Sequence, residues 1–366
     1  MHSYRHRGTG RLIGTGLAAA ALAATAWLPG SAAASTGWQV AFRAHSGAST
    51  IFNGLIGVSA SGKASAWAVG GTDLSGATPG APAAERWNGK SWHAATLPSG
   101  LTGTLGAVST PAQNDAWAVS QLGGYVLRWN GAMWSVAKTF QESPPASRQL
   151  TGVTAFSPAN VWVFGAPGAN PGLGTWHLIG TAWHKVTGLA GGISTASAIS
   201  QADMWAIGAD NMAPDDILVH YNGTTWQQIT STALGGLQFS SILALSDSNV
   251  WVTATVAGGQ SWRLLHFDGQ GWTSVPVPSG VQLRSMAPDG HGGLWFTAAR
   301  SSSQAPLAEH RSATGTWSTQ ALPTGPGQAF GIALIPGTTS LWASGYLDGS
   351  GGTGSDAVIW GHGPAA

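Results

Sequence analysis

The 366-residue chain has no cysteine, few charges and only three glutamates (Glu85, Glu142 and Glu309). Without cysteine there are no disulfides, so the fold has to be held by packing alone. Charged residues make up 8% of the chain, far below the usual quarter. Hydrophobic residues stand at an ordinary 43%, enough for a packed core and against disorder. The 15 Lys and Arg nearly balance the 14 Asp and Glu, and three of the arginines (Arg5, Arg7, Arg11) lie within the first eleven residues. No basic stripe is left to neutralise phosphates, which argues against nucleic acid as a partner. Beyond the first 34 residues no apolar run approaches the length needed to span a bilayer. There is no G-x-S-x-G elbow, no H-E-x-x-H and no P-loop. A Ser-His-Asp site assembled across distant segments needs no such motif and stays open.

The first 34 residues read as a secretory signal peptide. A basic start, "MHSYRHRGTGR", leads into the apolar run "LIGTGLAAAALAATAWL" (12–28). A Pro-Gly break follows, and "SAAA" then supplies the small residues that a signal peptidase reads. The alternative is a retained membrane anchor, for which the Ala-rich run is short. Cleavage after Ala34 predicts a mature protein of residues 35–366, secreted and without membrane association.

The chain is rich in glycine (54) and tryptophan (20), and the tryptophans are periodic. One series (Trp67, Trp117, Trp162, Trp205, Trp251, Trp295, Trp342) recurs every 43 to 50 residues in contexts such as "AWAVG", "VWVFG" and "LWASG". A second series (Trp92, Trp134, Trp183, Trp226, Trp272, Trp317) follows phrases such as "RWNGKSW" and "HFDGQGW". Periods of this size belong to propellers or solenoids. Each copy resolves into four short strands, as in "FSSILALS" (239–246), "VWVTATV" (250–256), "WRLLHFD" (262–268) and "WTSVPVP" (272–278). Asn-Gly and Asp-Gly supply the positive φ angles of tight hairpins. The second strand is apolar on both faces, as in a sheet sandwiched between neighbours. The expected fold is therefore all-β, a seven-bladed β-propeller of four-stranded blades. Both Trp series read as inter-blade wedges; the alternative is a sugar-stacking array.

The seventh copy ends at "DAVIWGHG" (356–363), before its last-strand Trp, while "GWQVAFRA" (37–44) carries Trp38 with no first half before it. The N-terminal strand is expected to complete the last blade and close the ring, removing the edges that an open ring exposes.

The pattern S-x-x-[DN]-[AVM]-W-[AV]-[VIF]-G, followed by [RH]-[WY]-N-G-x-x-W, resembles the secreted propeller-repeat proteins of actinobacteria, loosely grouped with galactose-oxidase-like and Kelch-type propellers. The resemblance covers essentially the whole mature chain. Four Lys against eleven Arg, with abundant Ala and Gly, fits that source. The Gly-Gly pair of Kelch repeats and the Gly-His and Trp-Asp marks of WD repeats are absent. A copper-radical oxidase needs a Tyr cross-linked to Cys, so the lack of cysteine excludes that activity. "PDGHGGLWFTA" (288–298) looks like a blade of streptogramin lyases, whose His and Glu residues have no match here. "DGQGW" resembles a sialidase Asp box, but no arginine trio accompanies it.

Arg86, Arg128, His177, His220, His266 and His310 stand near the ends of successive third strands, and Asp115, Asn160, Asp203 and Asn249 stand just before second strands. Because both turns share a rim, each cation or imidazole is expected to bond the Asx of its own blade as a structural tie. The alternative is a pH-responsive ring. The loops between second and third strands vary from "SQLGG" (120–124) to "GGTDLSGATPGAPAAE" (70–85) and share the other face with the blade-to-blade links. Variable loops on a rigid scaffold are where recognition concentrates. "DNMAPDD" (210–216) offers Asp210, Asp215 and Asp216, and Trp262 and Tyr346 are aromatics outside the framework, so these five are the candidate ligand-binding residues. The acidic loop lacks the alternating ligands and turn glycine of an EF-hand, so it reads as solvated, with Ca²⁺ as the alternative. No catalytic residue, metal site or cofactor is assigned. The functional expectation is a secreted, monomeric, non-catalytic scaffold that binds a protein or carbohydrate through its loop face; the alternative is an extracellular hydrolase or lyase on that face.

Overall fold

The computed structural model describes residues 37–45, 53–72, 80–140, 149–165, 173–189, 191–210, 216–256, 261–300, 303–349 and 354–366, with the side chains of 210, 303 and 304 excepted. The acidic-loop residue Asp215 and the predicted signal peptide lie outside them. The described strands form seven four-stranded antiparallel sheets. Numbering the blades in chain order, blade 1 runs Gly54–Gly62, Ser65–Thr72, Ala81–Trp87 and Trp92–Ala94 from the inside outward. Blade 7 is composite. Its inner strands are Gly327–Leu334, Leu341–Asp348 and Ser355–His362, and its outermost strand is Trp38–Ala44.

The recurring Asn-Gly and Asp-Gly phrases sit where a strand must reverse in few residues. Gly89, Gly131, Gly223 and Gly269 all hold φ between 89° and 97°, where a side chain is strained. At Gly269 there is no room either, since a Cβ would come 2.7 Å from Ser248. The preceding Asx carbonyl occupies the free amides of the turn: Asn88 Oδ1 accepts from the Lys90 and Ser91 amides at 2.9 and 3.1 Å, and Asp268 Oδ1 does the same for Gln270 and Gly271.

The two Trp series meet across every blade boundary. The second-strand tryptophans are 0 to 7% exposed. Against each packs the outer-strand Trp of the next blade: Trp67 with Trp134 at 4.8 Å, Trp117 with Trp183 at 6.4 Å, Trp162 with Trp226 at 5.7 Å and Trp205 with Trp272 at 6.1 Å. Trp342 meets Trp92 at 5.1 Å, and Trp251 shares a cluster with Trp317. The remaining place, against Trp295 of blade 6, is filled by Trp38 at 5.7 Å. Edge-on indole pairs add to area burial, so the N-terminal strand supplies the same wedge as every other outer strand. Its register on Ser355–His362 runs from Trp38 opposite His362 to Ala44 opposite Ala357, and Arg43 pairs with the buried Asp356 at 2.8 Å. The expected closure is observed.

Candidate functional site at the channel mouth

The seven innermost strands surround a central channel of about 540 Å³. In each of them the pairing with the second strand slips in the first half of the strand, leaving a bulge, and in blades 1 to 5 it slips again next to the hairpin. The first slip leaves Ile56, Gly106, Thr151, Ser194 and Ser240 unpaired in blades 1 to 5. A bulge re-aims a side chain, and all of these except Ser194 line the channel. In blades 6 and 7 the slips contain Arg284 with Ser285 and Phe330 with Gly331. Five blades thus carry a neutral, mostly small residue at this ring position, whereas blade 6 carries a guanidinium and blade 7 an aromatic ring.

Arg284 and Phe330 interact. The Arg284 guanidinium lies 5.6 Å from the Phe330 ring centroid, and its Nη1 donates to Gln328 Oε1 at 2.9 Å. Tyr346 also packs against Phe330, with ring centroids 5.8 Å apart. Trp262 opens the third strand of blade 5, directly after the loop, and lines the same channel. It is half-buried against the blade 5–6 cluster that includes Trp251 and Leu283. No carboxylate pairs with Arg284 among the described residues, and it is the one charged residue among those lining the channel. Burial lowers the Arg284 pKa from its ordinary value, against the opposing effect of Tyr346. Burial, and then the Asp348 carboxylate, push the Tyr346 phenol up, so it stays neutral.

Of the five candidate residues, Trp262 lines the channel, and Tyr346 packs against Phe330, which lines it. Asp216 lies elsewhere: its carboxylate accepts from the Phe239 amide at 2.5 Å and ties blade 4 to the start of blade 5. The Asp210 side chain and Asp215 are outside the described residues. Arg284, Phe330 and Gln328 were missed, because attention to loops overlooks the innermost strands. Aligning the seven copies on their second-strand Trp would have exposed the one cation at a ring position that is otherwise uncharged. Among the described residues no cluster of three His, Cys, Asp or Glu could hold a metal ion, and no helix is long and apolar enough to cross a membrane.

The opposite rim carries the expected ties. Arg128 bonds Asp115 at 3.0 Å, His177 bonds Asn160 at 2.8 Å, His220 bonds Asp203 at 2.8 Å and His266 bonds Asn249 at 3.0 Å. In blade 6 His310 uses Asp289 instead, at 2.9 Å. Each of the four imidazoles also stacks on its second-strand Trp, with centroids 3.9 to 4.5 Å apart. Burial, and then the neighbouring His184, lower the His177 pKa to about 4. Burial likewise lowers that of His266. Imidazoles kept neutral in this way serve as ties.

No protein-family model matches the sequence, and no curated protein matches it either. Solved structures do. YCF48 bound to D1 peptide superimposes with a TM-score of 0.62 at 13% identity, over 89% of this chain and 96% of that one. A catalytically inactive virginiamycin B lyase from Staphylococcus aureus with Quinupristin gives 0.60 at 11% identity, over 88% and 99%. The GH74 enzyme of Niastella koreensis gives 0.55 at 14% identity, over 84% of this chain and 54% of that one. These proteins bind a peptide or act as enzymes on one shared scaffold, so at such identities the likeness extends to the fold alone. The chain is a seven-bladed β-propeller, closed by its own N-terminal strand.

Proposed function

We propose that the protein is a secreted, monomeric, non-catalytic scaffold that binds a protein or glycan ligand at the loop-face mouth of its channel. The ligand places an anionic group on Arg284 and a flat or apolar group against Trp262 and Phe330. Arg284 carries this reading. A half-buried guanidinium without a carboxylate costs desolvation energy that its single hydrogen bond and one aromatic face only partly offset. A carboxylate or sulfate would complete its planar fork. The described channel lining contains no carboxylate or imidazole to act as general acid or base, which favours binding over hydrolysis or elimination. A channel of about 540 Å³ admits one side chain or one sugar unit rather than a domain. The propeller that carries a D1 peptide supports a peptide ligand by analogy of fold.

The test is a pull-down and a glycan array with the mature protein, each run beside Arg284→Gln. The expected result is capture of acidic ligands by the parent and at least about tenfold weaker capture by the variant, the worth of one charge-assisted contact. Equal capture by both would remove the basis of the proposal.

A further inference from the structure

Blade 1 breaks the rule of the tied rim. Arg86 pairs in register with Trp67 as Arg128 does with Trp117. The position of Asp115, however, is held by Ser65, whose buried hydroxyl has no hydrogen-bond partner. Among the described residues Arg86 accordingly forms no ion pair, and its buried Nε has no acceptor. Its guanidinium turns instead to Trp129 of blade 2, 4.8 Å from the ring centroid. Beside it opens a groove of about 730 Å³ between the outer strands of blades 1 and 2. Trp67, Trp129 and Trp134 form its floor, and Met133 and Val136, 62% and 43% exposed, stand at the rim. Its ionisable lining residues are Arg86 and His93, and no carboxylate lines it among the described residues.

We propose that this groove is a second binding site, for a small organic monocarboxylate with an apolar body. It shares no residue with the channel mouth and does not depend on the function proposed there. The carboxylate takes the place of the missing Asp on the Arg86 fork, and the apolar body lies along Trp129 and the adaptable Met133. The volume is that of a small-molecule pocket, roughly 300–1,000 Å³. Blades 2 to 6 fill the same need internally, so at this rim position Arg86 is left without an acidic partner among the described residues.

The test is calorimetric titration of the purified protein with 4-phenylbutyrate and, separately, with the matched alcohol 4-phenylbutanol. The parent should bind the acid saturably and the alcohol at least about tenfold more weakly. Arg86→Gln should lose the same factor. Ser65→Asp should too, because it restores the pair seen in blade 2 and neutralises Arg86 from within, and its melting midpoint should not fall. If Ser65→Asp fails to fold, Arg86→Gln decides alone. No saturable binding of the acid, equal binding of acid and alcohol, or undiminished binding by Arg86→Gln or by folded Ser65→Asp would overturn the proposal.

Discussion

Deleting residues 37–45 should open the ring, and the structure says how severely. Trp38 is 7% exposed and wedged on Trp295, so its loss alone is equivalent to a large-to-small core change of about 3–5 kcal/mol. Asp356, 5% exposed, would lose its pairs with both Arg43 and His45, which destabilises the blade further. The third strand of blade 7, with Val358, Ile359 and Trp360 at 0% exposure, would become an unpaired edge. Together these losses approach the whole stability of a typical domain, about 5–15 kcal/mol. The deletion variant should therefore be largely unfolded or aggregated. Trp38→Ala should fold with its unfolding free energy lowered by about 3–5 kcal/mol in urea titration. Adding a peptide of sequence GWQVAFRAH should restore the deletion variant, because the edge it fills remains complementary. Tryptophan fluorescence during urea unfolding reads all three. A deletion variant that unfolds at the parent's midpoint would show that Trp38–Ala44 does not close the ring.

Other outcomes follow from single sites. Trp251→Ala should cost about 3–5 kcal/mol in urea unfolding, whereas Trp262→Ala, half-buried at the channel mouth, should cost about 1 kcal/mol; equal costs would place Trp262 in the framework. Glu85 is buried, its Oε2 has no hydrogen-bond partner among the described residues, and desolvation raises its pKa from 4.5 to about 7. The unfolded carboxyl ionises first, so stability should fall between pH 4.5 and 7, by at most about 3 kcal/mol, and then level off. Glu85→Gln should flatten that slope in melts across the range. His177 behaves in the opposite sense: its pKa is lowered to about 4, so stability should fall as pH drops from 6.5 towards 4, and His177→Gln should soften the loss. For export, the mature N-terminus should lie at or within a few residues of Ser35 by mass spectrometry of the culture medium, and an intact N-terminus in the membrane fraction would exclude cleavage.

The repeat was legible because its physical demands repeat. A four-residue reversal needs glycine at positive φ with an Asx beside it, and each blade boundary needs an indole, so both recur at fixed places. Closure was legible for the same reason: Trp38 is an outer-strand wedge without a blade before it. The ties were legible because register places Arg128 opposite Trp117 and beside Asp115. Arg284 and Phe330 were hidden by the bulges, which shift the alternation of facing by one residue, so that a strict period of two misplaces the side chains that enter the channel. Ser65 was hidden by its blandness, since what matters there is the Asp it replaces. Asp216 belongs to an acidic loop by sequence, yet it serves the neighbouring blade as a backbone acceptor.

Recognition is proposed at the loop-face mouth of the channel, around Arg284. Hydrogen exchange of the mature protein with and without its captured ligand tests it most directly. Ligand should slow exchange in Val281–Pro288, in Gly327–Leu334 and at the start of Trp262–Phe267, with the outer strands unchanged. Slowing confined to the outer strands or to the tied rim, with those three segments unaffected, would contradict it.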